Sequence, residues 1–257
     1  MHIDLNADIG EGGDFDLALL EIVSSANISC GAHAGNLETI TTAIRQAAAN
    51  GVAPGAHPSY PDRPNFGRRA LRLSAQELRQ TITAQLRFLQ QLTQAEGLPL
   101  VHVKPHGALY HAAATDAETA NTLVRIFADF NPDLIITGLA GSQLLRAADH
   151  LGLTTKPEAF IDRRYQPDGQ LLPRNHPRAV IESEEQALAQ TLKLVEHGEA
   201  EAFNGAKVAV QATSLCVHGD TPRAIDFVSR IHHEFGLRGI AIQAPSQARQ
   251  VLQTRPR

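Results

Sequence analysis

Four histidines recur along the chain in short motifs, each directly after an apolar run that predicts a buried strand. Apolar runs of this kind are typical of parallel strands covered on both faces, and α/β folds place catalytic groups where such strands end. Histidine titrates near neutral pH and also binds metal ions. We therefore expect the four motifs to converge on one site. They are Gly31-Ala32-His33-Ala34, Gly55-Ala56-His57-Pro58, Lys104-Pro105-His106-Gly107 and Cys216-Val217-His218-Gly219.

Carboxylates and an amide alternate along the first predicted strand. Asp4, Asn6 and Asp8 occupy every second position, so they lie on one face, and Glu11 follows in a glycine-rich turn. If that face lines a barrel, the carboxylates enter the core, where each needs a cation, a metal or hydrogen-bond donors. Asp8 is the preferred catalytic carboxylate because it lies at the strand end. The alternative is that these side chains cap the loop.

The motif that contains Lys104 and His106 is the most informative of the four. A lysine beside a histidine at a strand end can hold a carboxylate or polarise a carbonyl group while the histidine transfers a proton. The alternative is that Lys104 caps a helix C-terminus. Asp8, His57 and His106 are together the ligand types of an Asp-His-His metal site that activates water. Because the chain has no His-Glu-x-x-His and no paired cysteine motif, a divalent metal stays optional.

Arginines in two polar segments are candidates for binding an anion. Arg68 and Arg69 lie in the first segment, and Arg163 lies in the second. A guanidinium group can hold a carboxylate or a phosphoryl group through two parallel hydrogen bonds. Asp220, two residues after His218, can orient a partner or cap the helix predicted to follow.

The elements that must position these groups alternate regularly. Short apolar runs and longer helical patterns follow one another along most of the chain, which indicates repeated βα units and a mainly parallel sheet. Seven or eight units in 257 residues favour a (β/α) barrel over a doubly wound sheet, and no Gly-x-Gly-x-x-Gly follows any strand. The predicted strands lie near residues 3–7, 27–31, 52–56, 100–104, 134–138, 157–161, 208–217 and 239–242.

Capping residues predict where three helices begin. Ser74 and Glu77 form a capping box ahead of apolar residues at helical spacing. Thr115 and Glu118 repeat that pattern, and Thr221-Pro222 supplies an N-cap and a first-turn proline for a third helix.

Two long segments, residues 58–73 and 162–181, fit neither the strand nor the helix pattern. Both are rich in Pro, Arg and Asp. Loops of this length within a compact domain are often functional lids, so we expect both to cover the site.

Length and composition limit the classes of function. The chain has the size of one (β/α) barrel, so we expect a single domain over residues 1–257. Its 27 acidic and 23 basic residues give a net charge of −4 with no basic run, which argues against nucleic acid as a partner. With no signal-like start and no apolar stretch that could span a bilayer, we expect no membrane association and a cytoplasmic location. Cys30 and Cys216 do not make a disulfide framework.

Several ordered segments carry a family resemblance over nearly the whole chain. They are residues 4–11, 25–35, 55–62, 66–69, 103–110, 160–169, 172–174 and 217–222. Together these segments resemble the LamB/YcsF family, the A subunit of prokaryotic 5-oxoprolinase. The resemblance implies a distorted (β/α) barrel like that of the glycoside hydrolase and deacetylase superfamily. It also implies ATP-dependent opening of 5-oxo-L-proline to L-glutamate, carried out together with subunits B and C.

The resemblance and the residues together suggest a mechanism. An unstrained lactam is a poor electrophile, and phosphorylation of its oxygen by ATP would turn that oxygen into a leaving group. The chain has no Gly-x-x-x-x-Gly-Lys-[Ser/Thr] loop, so we expect the co-substrate ATP to be bound chiefly by the partner subunits. Asp8 with His57 or His106 would take the proton of the attacking water, and Lys104 would stabilise the oxyanion. The predicted catalytic residues are Asp8, His57, Lys104, His106 and His218. The predicted substrate-binding residues are Asn6, Asn27, His33, Arg68, Arg69, Tyr110, Asp162, Arg163 and Asp220.

Two other functions fit the same residues. A metal-dependent amide hydrolase or deacetylase that acts alone would use the Asp-His-His set directly, and its activity would be sensitive to chelators without any partner. A non-catalytic subunit that captures 5-oxoproline would bind the lactam tightly, and its histidine variants would lose affinity but not turnover. The clustering of proton-transfer groups favours catalysis over capture.

Overall fold

The protein forms a closed barrel of parallel strands. The computed structural model describes residues 1–217 and 224–245. Within this part of the chain the strands are β1 (His2–Ile9), β2 (Ser25–Ser29), β3 (Ala53–His57), β4 (His102–Val103), β5 (Ile135–Leu139), β6 (Thr155–Phe160), β7 (Glu199–Glu201), β8 (Lys207–Ala209), β9 (Ser214–Val217) and β10 (Ala241–Ile242). Strands β1 to β6 pair in sequence order, and β9 closes the ring because it pairs with both β6 and β1. The ring therefore has seven strands, which confirms the predicted barrel.

Helices surround the ring and pack against its outer face. In the described residues they are α1 (Asp16–Leu19), α2 (Leu37–Asn50), α3 (Ala75–Ala95), α4 (Gly107–Thr115), α5 (Ala117–Phe130), α6 (Gln143–His150), α7 (Glu184–His197) and α8 (Ala224–Leu237). None of these helices is long and apolar enough to cross a membrane.

The longest helix, α3, begins where the capping pattern predicts. The backbone N–H of Glu77 donates to Ser74 Oγ at 3.2 Å, and the backbone N–H of Ser74 donates to Glu77 Oε2 at 2.8 Å. Each side chain thereby satisfies a backbone donor that the first turn leaves open. Apolar residues at helical spacing, among them Ile82 and Leu86, are buried against the barrel. The predicted capping box is confirmed.

The helix predicted after Thr115 has a different cap. Thr115 is the last residue of α4, and its hydroxyl donates to the carbonyl of His111 within that helix. Asp116 caps α5 instead, because its carboxylate accepts from the backbone N–H of Thr119 at 2.8 Å. The prediction placed the cap one residue early because two adjacent residues are both good capping types.

The apolar run predicted as one strand over residues 208–217 is two strands. β8 pairs antiparallel with β7 in a small hairpin, whereas β9 runs parallel between β6 and β1. The backbone turns between them, where Val210 donates to the carbonyl of Gly198 and Thr213 donates to that of Pro157. Hydrophobicity alone does not show such a break, since both pieces are apolar. The last predicted strand is β10, which pairs in the described part of the chain with the start of β1, outside the ring.

Strand β1 is buried on both faces, as the alternation of its residues requires. Ile3, Leu5, Ala7 and Ile9 join the apolar core between the strands and the helices. The intervening Asp4, Asn6 and Asp8 face the barrel interior, where they contact polar groups of the neighbouring strands. The expectation that one polar face enters a barrel is therefore confirmed.

The two long loops have a defined path. Residues 58–73 contain a single 3-10 turn, Arg63–Asn65, followed by Phe66 with a left-handed φ of 55°. At Gly67 an added Cβ would lie 3.0 Å from both His33 Cβ and His106 Cδ2, so only glycine fits this close approach. Residues 162–181 are held by isolated bridges rather than by a regular sheet. Both loops contribute residues to the cavity described next.

Candidate functional site

A cavity of about 990 Å³ opens at the carboxyl end of the barrel. Its wall combines residues from strand ends, from α4 and from both long loops. The predicted site residues that it brings together are Asp8, His57, Arg68, Lys104, His106, Tyr110 and Arg163. Glu11, which follows β1, also lines the cavity. Most of the predicted catalytic groups thus share one solvent-accessible space.

Four side chains converge closely enough to hold one metal ion. Asp8, Glu11, His57 and His106 each offer one ligand atom, and these atoms all lie within 4.8 Å of one another. We name these four residues the carboxylate–histidine cluster. His57 Nε2 lies 3.2 Å from Asp8 Oδ2 and 3.0 Å from His106 Nδ1, and His106 Nδ1 lies 3.4 Å from Glu11 Oε1. Imidazole nitrogens and carboxylate oxygens are the ligands of zinc and similar divalent ions in hydrolases.

Backbone carbonyl groups fix the orientation of both cluster histidines. His57 Nδ1–H donates to the carbonyl of Lys104 at 2.8 Å, and His106 Nε2–H donates to the carbonyl of Phe66 at 2.9 Å. A carbonyl oxygen only accepts, so each of these two nitrogens carries a ring proton. In the unprotonated form that a metal ion requires of both rings, the two remaining lone pairs point at each other. Two lone pairs 3.0 Å apart repel unless a cation lies against both, so the donor set fits a divalent metal ion.

His106 is a neutral imidazole at neutral pH. Burial lowers the pKa of His106 to about 2, and the nearby rings of His57 and His33 add to the effect. A metal ion requires the unprotonated form of histidine, which this environment favours.

His33 supports the cluster from behind. It is 1% exposed, does not line the cavity, and stacks on His106 with the ring centroids 3.8 Å apart. Burial lowers the pKa of His33 to about 3, so the ring is neutral and donates through one nitrogen only. Nε2–H donates to Glu11 Oε1 at 2.9 Å, and the Ser59 hydroxyl donates to Nδ1 at 3.0 Å. His33 thereby orients the Glu11 carboxylate.

Lys104 occupies the centre of the barrel end and is 2% exposed. Its ammonium group lies 3.1 Å from Asp8 Oδ1 and 3.1 Å from Glu158 Oε2, and it also contacts Asn6 Oδ1 and Cys216 Sγ. Burial alone would lower the pKa of Lys104, but Asp8 and Glu158 among its neighbours raise it well above its usual value. Lys104 is therefore a fixed positive charge next to the cluster.

Two predicted substrate-binding amides lie below the cavity rather than in its wall. Asn27 donates to Asn6 Oδ1 at 2.7 Å and to Asp8 Oδ1 at 2.9 Å, and Asn6 donates to Glu158 Oε2 at 3.2 Å. His102 Nε2–H in turn donates to Asn27 Oδ1. This buried network holds the side chains of Asp8 and Lys104 in place, because Asn27 donates to Asp8 and the Lys104 ammonium group donates to Asn6.

The remaining predicted contacts are divided between the cavity wall and other positions. Arg68 lines the cavity and lies 4.9 Å above the ring of Phe66. The exposed side chain of Arg69 and the half-buried Asp162 are not part of the cavity wall. Tyr110 lines the cavity, and burial with the nearby Glu158 raises the pKa of its hydroxyl well above the usual value. The structure does not bring every predicted contact into one place.

Three of the sequence predictions lie outside the described residues. They are His218, Asp220 and the helix cap Thr221-Pro222.

Sequence reasoning did not assign Glu11, Glu158 or His102 to the site. Glu158 lies within a strand predicted as apolar, and a lone carboxylate in such a run is a signal that the interior of the barrel contains a cation. His102 lies two residues before Lys104. Its ring lies against Gly55, where an added Cβ would come within 2.1 Å of His102 Nε2. Gly55, the first residue of the Gly55-Ala56-His57-Pro58 motif, is therefore the sequence feature that indicates a side chain packed closely against β3.

Two remote structures share the fold. The putative cellobiose-phosphate cleavage protein of Enterococcus faecalis V583 is 12% identical, with 94% of this chain and 96% of that chain covered and a TM-score of 0.54. The catalytic domain of peptidoglycan N-acetylglucosamine deacetylase from Eubacterium rectale ATCC 33656 is 14% identical, with 95% and 88% covered and a TM-score of 0.52. The predicted distorted (β/α) barrel of the deacetylase type is thereby confirmed.

A much more similar structure is that of the lactam utilization protein from Thermus thermophilus. It is 40% identical, with 95% of this chain and 100% of that chain covered and a TM-score of 0.87. The family model described as LamB/YcsF matches residues 3–250. That span includes the four histidine motifs and both long loops. The fold, the motifs and the near-complete match agree, and this chain belongs to the LamB/YcsF family.

Proposed function

We propose that this protein is the A subunit of a 5-oxoprolinase. It opens the ring amide of 5-oxo-L-proline to give L-glutamate, coupled to the hydrolysis of ATP and together with subunits B and C. Family membership and the 40% identical lactam utilization protein support a role in lactam hydrolysis. The observation that carries the proposal is the carboxylate–histidine cluster beside Lys104, at the end of a barrel whose fold also occurs in a deacetylase, an enzyme that cleaves amides.

The cluster fits a divalent ion as an assisting group. Asp8, Glu11, His57 and His106 would hold it, because two lone pairs and two carboxylates already point at one small volume. A bound divalent ion polarises an amide carbonyl and makes a nearby water molecule more acidic. The carboxylates of Asp8 and Glu158 contact the single ammonium group of Lys104, and the Glu11 carboxylate lies against His106, so three carboxylates accompany one ammonium group. A divalent cation would neutralise the excess negative charge.

The side chains themselves supply the proton transfer and the charge stabilisation. The Asp8 carboxylate takes a proton from the water that attacks the lactam carbon. Prior phosphorylation of the lactam oxygen by ATP, held chiefly on the partner subunits, makes the carbon of the unstrained ring electrophilic enough for water to attack. The fixed charge of Lys104 stabilises the negative charge on the oxygens of the resulting tetrahedral intermediate. The carbon–nitrogen bond then breaks, and the ring nitrogen leaves as an amine after it receives the proton. The product of this step is the acyl phosphate of glutamate, which a second water molecule hydrolyses to L-glutamate and inorganic phosphate.

Glutamate release from 5-oxo-L-proline and ATP tests this proposal. The purified chain is assayed alone and after mixing with candidate B and C subunits. We expect release only in the complete mixture with ATP present. No release in a mixture of three folded subunits would contradict the proposal.

A stand-alone metal-dependent amide hydrolase is the second candidate. It is favoured by the cluster and by the fold shared with a deacetylase. It predicts amide cleavage by the isolated chain without ATP, and loss of that activity with a chelator. The two candidates therefore differ in one assay, which is the dependence of turnover on ATP and partners.

A further inference from the structure

We propose that the cavity contains an anion subsite, built around Arg163 and Arg174, that binds the carboxylate of a lactam acid. The subsite is formed by the loop of residues 162–181 and is separate from the carboxylate–histidine cluster in the same cavity. It selects lactams that carry a carboxylate over neutral lactams. This inference rests on the proposed function, because it concerns the substrate of that same site.

Arg163 is a buried cation that the protein leaves incompletely bonded. It is 3% exposed and lines the cavity. Its Nη2 donates to the carbonyl of Leu172 at 2.7 Å, whereas its Nε finds no acceptor in the part of the chain that the structure describes. Nε itself has almost no contact with the cavity, so an anion there would act on the charge of the guanidinium group rather than on this donor. A buried cation with few acceptors costs free energy, which an anion at the cavity wall would recover.

A second guanidinium group lies on the same wall. Arg174 lines the cavity, and after burial its charge is the next cause that lowers the pKa of Arg163. His111 on α4 is influenced by both groups, since loss of water contact and then the charges of Arg163 and Arg174 lower its pKa. A guanidinium group can hold a planar carboxylate through two parallel hydrogen bonds, and two such groups on one cavity wall together attract an anion.

The balance of charge favours a carboxylate over a phosphoryl group. Asp162 raises the pKa of Arg163, whereas Arg174 lowers it, so the negative charge of Asp162 offsets part of the positive charge of the two arginines. Asp168 adds a further carboxylate to the cavity wall. The remaining charge suits a ligand group with a single negative charge better than a phosphate with two or more.

The subsite lies next to the barrel end. Cys216, whose sulfur is 3.1 Å from the Lys104 ammonium group, is also among the groups that act electrostatically on Arg163. Lys104 and Arg163 also line the same cavity. The proposed pose has the lactam carbonyl group at Lys104 and the carboxylate at Arg163.

Calorimetric binding to the full chain tests the subsite without any turnover. The ligands are 5-oxo-L-proline, 2-pyrrolidinone, which is the same ring without the carboxylate, and inorganic phosphate. The variants are Arg163→Gln and Arg174→Gln, so that the subsite is still tested if one of them fails to fold. The matched control is Arg164→Gln, because Arg164 bonds to Gln186 outside the cavity.

We expect wild-type protein to bind 5-oxo-L-proline at least tenfold more tightly than 2-pyrrolidinone. Each subsite variant should bind 5-oxo-L-proline at least tenfold more weakly than wild type and bind 2-pyrrolidinone with unchanged affinity. Arg164→Gln should bind both lactams as wild type does. Equal binding of the two lactams, binding of neither, or variants that lose only phosphate would overturn the subsite. If the arginine-dependent binding holds but the three-subunit mixture releases no glutamate, the subsite stands and the proposed function fails.

Discussion

The two ends of β1 carry the same side chain in different surroundings. Asp4, near the start of the strand, is 2% exposed and accepts hydrogen bonds from the hydroxyl groups of Ser24, Ser25 and Ser214. Asp8, near the end, lies 3.2 Å from His57 Nε2, a nitrogen that carries a lone pair when the ring is neutral. Donors of the chain itself surround the first carboxylate. The second accepts from Asn27 and Lys104 through Oδ1, while its Oδ2 belongs to a group of potential metal ligands.

This difference separates a structural polar cluster from a chemical one. Both clusters lie on the same face of the same strand, so burial and residue type do not distinguish them. What distinguishes them is the set of groups around each carboxylate. Serine hydroxyl donors surround Asp4, and that cluster stabilises the barrel. The carboxylate–histidine cluster instead brings two carboxylates and two histidines together at a cavity wall, and this is the set of groups that metal binding and catalysis require.

The largest effect is expected from His106→Ala. This change removes one of the two facing lone pairs and should lower glutamate release by the reconstituted enzyme about 10²- to 10⁴-fold, the range typical of a lost proton-transfer group. His150→Ala is the matched control, because His150 is exposed at the end of α6. Turnover by the His106 variant within threefold of wild type would remove the cluster from the mechanism.

The second-largest expected difference between the two ends of β1 is in the affinity for a metal ion. We expect one divalent ion per chain in a titration with zinc, and we expect His57→Ala to weaken it at least about a hundredfold, because a ligand is lost. Asp4→Ala should leave the stoichiometry and affinity unchanged. If zinc binds equally well to the His57 variant, the ion lies elsewhere.

The start of β1 should matter for folding stability, although it should not matter for metal binding. Asp4→Ala leaves the buried hydroxyl groups of Ser25 and Ser214 without their acceptor and takes one of two acceptors from Ser24, which should lower the free energy of unfolding by about 2–3 kcal/mol. Urea denaturation measures this change. An Asp4 variant of wild-type stability that has lost zinc binding would contradict the division between the two ends.

The smallest effect is expected from His33, which orients a ligand without being one. His33→Ala should weaken zinc binding about tenfold, as is typical when a group behind a ligand is lost. Ser59→Ala removes only the hydroxyl that donates to His33 and should have a smaller effect. A loss as large as that of His57→Ala would indicate that His33 binds the ion directly.

Much of this arrangement could be predicted from the sequence, because its signals are local. Alternation along β1 places Asp4, Asn6 and Asp8 on one face, and parallel strands end at the same edge of a barrel. The motifs of His57 and His106 therefore had to meet, and the structure brings them within 3.0 Å.

The other features of the site could not be predicted from the sequence, because they depend on contacts between distant segments of the chain. Glu158 is one carboxylate in an apolar strand, and nothing in the sequence shows that it meets Lys104. Whether His33 lines the cavity or lies behind it depends on the path of the loop around Gly67. The role of Arg174 depends on the fold of residues 162–181, whose sequence shows neither the strand nor the helix periodicity of apolar residues. The break within residues 208–217 is hidden because both halves are apolar.

The most direct test of the central claim compares Asp8→Ala with Asp4→Ala in the three-subunit glutamate-release assay, with folding followed by thermal denaturation. We predict that Asp8→Ala loses at least about a hundredfold of turnover per folded molecule. Asp4→Ala should melt lower and keep its turnover per folded molecule. Normal turnover by the Asp8 variant, or equal losses of turnover in both, would contradict the assignment of the catalytic site to the end of β1.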